Sequence, residues 1–305
     1  MLAILLRTVL LSQAILGAGL GYWLANRWGI PLWTPVLLAL ALPFVSMALI
    51  ALVSAIKSRS GEGAALWWRS LIGEFVAGVK VFVMRQPWSV RNSGILPATG
   101  LPGRIPVVLV HGFLCNHRIW DDMAQALRAR GHAVLALDLE PLFVSIDRYA
   151  PVVEQAVNAM CRHANARQVA LVGHSMGGLA IRAWMRAHGV QRAVRVITLG
   201  TPHAGTRVDP HTRIPNGRQM RWQSDWLTAL AAAETADTRS LLRIAITAQD
   251  NVVYPQRAQT LAGLTPTVFE GIGHVEMCLH PPVVEWVVQQ LESIPLIPEQ
   301  PPCEP

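Results

Sequence analysis

The sequence has 305 residues, enough for one sizeable domain with additions or for two modest domains. Hydrophobic residues make up 52% of it and charged residues 15%, and the mean hydropathy is +0.34, which is too apolar for an ordinary soluble enzyme. The net charge of +7 comes from scattered arginines and not from a basic block, so we expect attraction to anionic lipid headgroups and no nucleic-acid partner.

The four cysteines are widely spaced and match neither a disulfide framework nor a metal-ligand pattern. They are Cys115, Cys161, Cys278 and Cys303. This spacing favours a reducing compartment, and we expect neither a metal nor another cofactor.

The first sixty residues carry most of the excess hydrophobicity. Two uncharged segments, 8–25 and 29–56, are each long enough to cross a hydrocarbon layer of about 30 Å as a helix. A cleaved signal peptide would explain the first segment but not the second. The pattern therefore predicts a transmembrane hairpin over residues 1–60. Aromatic residues typical of a membrane interface surround the connection: Tyr22, Trp23, Trp28 and Trp33.

The positive charges that flank the hairpin predict its orientation. Arg7 lies near one end, and Lys57, Arg59 and Arg69 follow the second segment, whereas the connecting loop carries only Arg27. Basic residues stay on the cytoplasmic side. We therefore expect a multi-pass protein of a bacterial-type inner membrane, with everything downstream of the hairpin on the cytoplasmic side.

Residues 61–104 are expected to form an amphipathic linker. Residues 64–84 mix tryptophans and aliphatic side chains with a few charges, which fits a helix in the membrane interface and equally a helix packed on the following domain. The last part, 92–103, is rich in Gly and Pro and predicts a loop.

From residue 105 short apolar strands alternate with amphipathic helices, which predicts an α/β fold: a mostly parallel sheet with helices on both faces. We expect this catalytic domain to span 105–293, and a proline-rich tail to follow over 294–305. Residues 207–239 interrupt the alternation as a cap or lid insertion. The strands are expected at 105–110, 133–137, 168–172, 194–199, 242–247 and 267–269, and the main helices at 119–130, 150–163, 175–187 and 282–291.

The segment 171–178, Leu-Val-Gly-His-Ser-Met-Gly-Gly, contains the Gly-x-Ser-x-Gly pattern of a nucleophile elbow between a predicted strand and a predicted helix. A serine on so sharp a turn has a strained backbone, and Gly173 and Gly177 remove Cβ atoms that would collide there. We therefore predict Ser175 as the nucleophile.

The base and the acid are expected on loops after later strands. His274 follows the 267–269 strand and is favoured as the base over His203 and His280. Asp250 follows the 242–247 strand and is favoured as the acid. The other candidate acids are Asp138, Asp209, Asp225 and Asp237.

An oxyanion hole requires two preorganised N–H groups. The N–H of Met176 at the helix start is one candidate. The loop after the first strand, His111-Gly112-Phe113, offers the N–H of Phe113 as the second, although His111-Gly112 alone fits a simple tight turn.

Taken together, these segments resemble the α/β-hydrolase superfamily, and most closely its bacterial lipase and esterase branch. The resemblance covers residues 105–293 and includes the Thr-Pro-His-Ala-Gly-Thr run at 201–206. It implies a serine triad, no cofactor and an acyl-enzyme route. The chain departs from the family pattern in two ways: antiparallel strands are not evident in 86–104, which predicts a minimal sheet, and the hairpin is not part of the pattern.

We therefore expect a membrane-anchored serine hydrolase that cleaves carboxylic esters, with a lipid or other apolar acyl ester as substrate. A thioesterase, amidase or acyltransferase would use the same residues, and a catalytically silent, membrane-tethered binding module is the alternative outside enzymes. Within the insertion, a predicted apolar helical face fits either a lid or core packing. That face comprises Trp222, Trp226, Ala229 and Leu230.

Overall fold

Seven strands form one sheet in the part of the chain that the computed structural model describes, residues 1–61, 63–88, 94–99 and 103–295. In chain order they are β1 Ile95–Leu96, β2 Val107–Val110, β3 Val134–Ala136, β4 Val169–His174, β5 Ala193–Leu199, β6 Leu242–Thr247 and β7 Thr267–Phe269. The spatial order is β1-β3-β2-β4-β5-β6-β7, and β2 to β7 run parallel. The α/β fold with a mostly parallel sheet is confirmed.

One antiparallel strand is present at the edge of this sheet, contrary to the expectation for residues 86–104. Ile95 pairs with Leu135 and Leu96 with Val134, so β1 runs opposite to β3. Two residues are too few to show the alternation by which strands are recognised in a sequence.

Helices cover both faces of the sheet, as expected for parallel strands that must be buried on two sides. Two apolar cores result: β-strand side chains pack against α5 and α6 on one face, and against α4 and α10 on the other. The bounds of these helices are α4 Asp121–Ala129, α5 Ala150–His163, α6 Met176–His188 and α10 Pro281–Glu292.

The two apolar helices at the start of the chain form a hairpin, with α1 at Leu2–Trp28 and α2 at Thr34–Lys57. They are packed very closely, because a Cβ on Gly17 would lie 2.3 Å from the backbone oxygen of Leu38. Small residues permit such close approach between apolar helices. Both helices are long and apolar enough to cross a membrane, and little of either is buried inside the protein.

Helix α3, Ala64–Gly78, continues into a π-helical segment, Val79–Arg85, and has two different faces. Glu74 and Ala77 are buried against the α/β domain, so the helix packs on that domain. The opposite face is exposed and apolar at a helical spacing of four residues: Trp68, Ile72 and Val76. This exposed apolar face also fits the other position expected for the helix, in the membrane interface.

The insertion at 207–239 folds into three short helices, α7 Pro215–Gln219, α8 Asp225–Ala232 and α9 Ala236–Ser240. Leu227 and Leu230 of α8 are part of the core beside α6, whereas Ala229 is exposed. Trp222 precedes α8, so it does not share a helical face with Trp226 as the sequence had predicted. Of the expected tail at 294–305, residues 296–305 lie outside the described part of the chain.

Candidate active site

Ser175 lies on a strained turn between β4 and α6. Its backbone has φ 54° and ψ −128°, a conformation that residues with a side chain rarely adopt, and α6 begins at Met176 directly after it. Gly177 makes this turn possible, because a Cβ there would lie 2.0 Å from the backbone oxygen of Val110. The geometry is that of a nucleophile elbow.

His274 and Asp250 form a buried pair after the ends of β7 and β6. His274 Nδ1 lies 2.8 Å from Asp250 Oδ2. Asp250 Oδ1 accepts hydrogen bonds from the backbone N–H groups of Val252 and Val253, at 2.9 and 2.7 Å. These bonds fix the carboxylate, so the acid can hold the imidazole in one tautomer and orientation.

The surroundings of His274 favour its protonated form. Burial alone lowers its pKa, but the charge of Asp250, the hydrogen bond to that carboxylate and the charge of Glu74 outweigh burial, so the pKa is raised above 6.5. The neighbouring His174 behaves differently: burial and the proximity of His274 hold its pKa well below 6.5. His174 is therefore neutral, and its Nε2–H donates to the backbone oxygen of His274 at 3.0 Å.

Ser175 and His274 line one cavity without a hydrogen bond between their side chains in the described part of the chain. Such contacts are often long in a substrate-free enzyme and tighten when substrate binds. Gly112 lies directly against the nucleophile, because a Cβ there would be 2.7 Å from Ser175 Cβ.

The loop after β2 brings Phe113 to the same cavity, opposite the start of α6. Neither the N–H of Phe113 nor that of Met176 donates to another group among the described residues. The imidazole of His111 stabilises this loop, because its Nε2 accepts a hydrogen bond from the backbone N–H of Leu139 at 2.9 Å. The two N–H groups predicted for an oxyanion hole therefore have no hydrogen-bond partner among the described residues. Met176 follows Ser175 directly, and Phe113 follows Gly112, which lies against Ser175.

The competing histidines and carboxylates are engaged elsewhere. His203 contacts Thr198 and Arg182 in the core, and His280 lies at the N-terminal end of α10. Asp138 accepts from the N–H of His117 and lies 2.9 Å from its Nδ1. The remaining carboxylates are in the insertion, where Asp225 and Asp237 occupy the first turns of α8 and α9 and Asp209 accepts from the N–H of His211.

Two polar residues near His274 were not identified from the sequence. Asn251 Oδ1 accepts from the backbone N–H of His274 at 3.1 Å. Glu74 of α3 is buried and accepts from the N–H groups of Val275 and Glu276 at 2.8 and 3.2 Å. Burial raises the pKa of Glu74 to about 7, against the lowering effect of His274 and of these N–H groups. The position of Asn251 beside Asp250 is a usable signal, whereas Glu74 lies in a segment predicted as a linker.

The cavity at Ser175 has a volume of about 530 Å³. Its floor is formed by the elbow, the His274 loop and the Gly112 to Cys115 segment, and its opposite wall by α1 and α2. This volume falls within the range of about 300–1,000 Å³ that is usual for small-molecule sites.

A comparison with known proteins places this site in a family. Residues 107–293 match the alpha/beta hydrolase family, and the chain belongs to that family. One relative found by sequence and two found among solved structures are named as lipases.

A triacylglycerol lipase of Burkholderia plantarii is 28% identical over 164 residues, which are 51% of this chain and 44% of the relative. The chain therefore matches less than half the length of that relative. Among solved structures, the mature lipase BlEst2 of Bacillus licheniformis has a TM-score of 0.53 at 17% identity and covers 65% of this chain and 99% of its own. Lipase B of Aspergillus fumigatus has a TM-score of 0.59 at 13% identity, with 94% and 86% covered. The solved structures establish the fold alone.

Proposed function

We propose that this chain is a membrane-anchored serine hydrolase that cleaves carboxylic esters with apolar acyl groups. The observation that carries the proposal is the convergence of Ser175, on its strained elbow, and the buried His274–Asp250 pair on one apolar cavity. Membership of the alpha/beta hydrolase family and the lipase among its relatives support hydrolysis of esters.

The residues have distinct roles in this mechanism. His274 Nε2 takes the proton of Ser175 as Oγ attacks the acyl carbon, while Asp250 stabilises the imidazolium. The negative charge on the former carbonyl oxygen is stabilised by the N–H groups of Phe113 and Met176. His274 then protonates the leaving alcohol. In the deacylation step it activates the water that releases the carboxylic acid from Ser175.

A second part of the proposal concerns the membrane. The apolar helices α1 and α2 expose most of their side chains, which is unfavourable in water and expected in lipid. The exposed stripe of Trp68, Ile72 and Val76 on α3 is suited to lie at the same membrane surface. The excess of basic residues near the open end of the hairpin supports a cytoplasmic hydrolase domain at a bacterial-type inner membrane.

Labelling with a fluorophosphonate tests the enzymatic assignment. The full-length protein in detergent should be labelled, Ser175→Ala should not, and Ser240→Ala, which removes an exposed serine at the end of α9, should be labelled like wild type. Absence of labelling in the wild type would favour a silent binding module. A panel of matched esters, thioesters and amides then separates an esterase from a thioesterase or an amidase.

Reporter fusions after Pro305 test the orientation. A cytoplasmic fluorescent reporter should be bright and a reporter that is active only in the periplasm should be silent. The reverse pattern would place the hydrolase domain outside the cytoplasm.

A further inference from the structure

Much of the cavity at Ser175 is formed by residues outside the hydrolase domain. From α1 and α2, ten side chains line it opposite the nucleophile: Leu6, Val9, Leu10, Gln13, Pro43, Ser46, Met47, Ile50, Ala51 and Ser54. Seven of them are apolar, and the three polar ones have hydrogen-bond partners. Gln13 Nε2 donates to Ser46 Oγ at 2.9 Å, and Ser54 Oγ donates to the backbone oxygen of Ala51 at 3.0 Å. This wall therefore offers apolar surface and no free charge, which suits a hydrocarbon chain.

Hydrogen bonds join the wall directly to the loops of the catalytic residues. Asn251 Nδ2 donates to Ser54 Oγ at 2.9 Å, while Oδ1 of the same amide accepts from the backbone N–H of His274. Gln256 Nε2 donates both to the backbone oxygen of Ser58, just after α2, and to that of Asp250, each at 2.8 Å. The hairpin is thus held in a fixed position relative to His274 and Asp250.

A groove of about 330 Å³ along the outer side of α2 adjoins the cavity. The cavity and the groove share Ile50, Ser54, Val208 and Asn251. The groove also includes Leu49 and Val53, which are exposed and would contact lipid if the hairpin crosses a membrane. The groove on the surface of α2 and the cavity at Ser175 are therefore neighbours with a common boundary, and aliphatic side chains contribute to the lining of both.

Helix length sets the level of this groove in a bilayer. A hydrocarbon layer of about 30 Å takes about 20 helical residues at 1.5 Å each. Twenty residues counted back from Trp28, the last residue of α1, end at Val9, and twenty counted forward from Thr34, the first residue of α2, end at Val53. The groove residues Leu49, Ile50 and Val53 then lie inside the hydrocarbon layer near its surface, with Ser54, the hydrogen-bond partner of Asn251, just beyond it.

We infer that the transmembrane hairpin forms the acyl-binding site of this enzyme, and that the substrate is a long-chain acyl ester that enters from the bilayer. The acyl chain passes along the groove beside α2 into the cavity, and the ester carbonyl stops at Ser175. This inference rests on the proposed function and adds to it that α1 and α2, rather than the 207–239 insertion, select the chain length. Of that insertion, only Val208 lines the cavity among the described residues.

Cavity-filling substitutions test the inference in the full-length protein. Leu10→Trp and Met47→Trp place a large ring in the cavity, whereas Leu16→Trp places it on the exposed side of α1 as a matched control. For p-nitrophenyl palmitate we expect kcat/KM to fall about 10- to 100-fold in the two cavity variants relative to the control. The readout is the ratio of kcat/KM for palmitate to kcat/KM for p-nitrophenyl butyrate, and this ratio should fall in both cavity variants.

Labelling by a fluorophosphonate shows whether Ser175 is intact in each variant. Wild type that neither labels nor hydrolyses any ester would overturn the proposed function. Active wild type with an unchanged palmitate-to-butyrate ratio in the tryptophan variants would overturn the hairpin inference alone. If the tryptophan variants do not fold, Met47→Ala provides the test, because it makes the cavity longer. In this variant kcat/KM for esters longer than palmitate should rise relative to kcat/KM for butyrate. An unchanged ratio of these two values contradicts the inference.

The entry route has its own measurement. Val208→Asp places a charge where the groove meets the cavity, and it should slow hydrolysis of a long-chain ester embedded in phosphatidylcholine vesicles about tenfold or more. The readout is the ratio of this vesicle rate to the rate on soluble p-nitrophenyl butyrate, which corrects for any loss that both substrates share. An unchanged ratio in the variant would exclude entry by this groove.

Discussion

The hydrolase domain and the hairpin contribute to the same cavity in different ways. The domain supplies Ser175 and Asp250 from the ends of the largely buried strands β4 and β6, and His274 from the loop after β7, which is only partly buried. A hydrogen bond from the N–H of His274 to Asn251 Oδ1 helps to fix that loop. The hairpin supplies apolar side chains from two helices that bury little of their surface in the protein. In the proposed mechanism the chemistry therefore depends on a few fixed positions, whereas much of the cavity wall comes from a region outside the residues that match the family.

Loss of a triad residue should affect all esters alike and have the largest effect. We expect Ser175→Ala and His274→Ala to lower kcat by about three to six orders of magnitude, and Asp250→Asn to lower it by about four or less. Turnover of butyrate and palmitate esters by the purified protein is the measurement, with thermal unfolding as the control for folding. If Asp250→Asn turns over normally, another carboxylate supports His274, and Glu74, whose charge also raises the pKa of that histidine, is the next to test.

Gly112 offers a way to disturb the rigid region without removing a functional group. An alanine there would bring a Cβ to 2.7 Å from Ser175 Cβ, so the nucleophile or the Phe113 loop must shift. We expect kcat for both chain lengths to fall about 100-fold, as when one oxyanion donor is lost. Gly63→Ala is the matched control, because a Cβ at that position meets nothing within 4 Å. Equal activity of Gly112→Ala and Gly63→Ala would show that the Phe113 loop can shift without loss of activity.

Glu74 lies on α3, between the hairpin and the hydrolase domain in the sequence. Its charge raises the pKa of His274. Catalysis needs neutral His274, so kcat/KM should rise as pH increases through the pKa of that histidine. Glu74→Gln keeps an oxygen for the N–H groups of Val275 and Glu276 but removes the charge. We therefore expect the midpoint of the pH profile of Glu74→Gln to lie at lower pH than that of wild type, and an unchanged midpoint would contradict the electrostatic role.

The same carboxyl should also make stability depend on pH. Its pKa is raised from 4.5 to about 7 in the folded protein. The folded state therefore binds the proton more tightly than the unfolded state, so stability is full below pH 4.5 and declines as pH rises to about 7. The shift corresponds to a difference on the order of 3 kcal/mol. Unfolding of wild type and Glu74→Gln across this interval should show the decline in wild type only.

The insertion at 207–239 should have the smallest effect on chain-length preference. Trp226 packs beside the core and its Nε1–H donates to Asp147 at 2.9 Å, while Trp222 lies under the guanidinium of Arg207. We expect Trp222→Ser combined with Trp226→Ser to lower the melting temperature and to leave the palmitate-to-butyrate ratio unchanged. A selective loss of palmitate hydrolysis at normal stability would instead support the lid hypothesis.

The elements that position the site are predictable because their signals are local. Buried strands such as β4 and β6 are short apolar runs, and the glycines beside Ser175 are required by a turn that adjoins them in the sequence. Glu74 gave no such signal, since its partners Val275 and Glu276 are about 200 residues away and meet it only after packing. A helix that is apolar all round likewise does not indicate which side will face a cavity.

The backbone of Ser175 has a consequence for protein engineering. At φ 54° and ψ −128° a glycine would not be strained. Removal of such backbone strain stabilises the folded state by about 1–3 kcal/mol. A laboratory selection for heat resistance alone would therefore enrich glycine at position 175, and a selection for turnover would restore serine. The two selections oppose each other at this residue, so the serine persists only under a demand for catalysis.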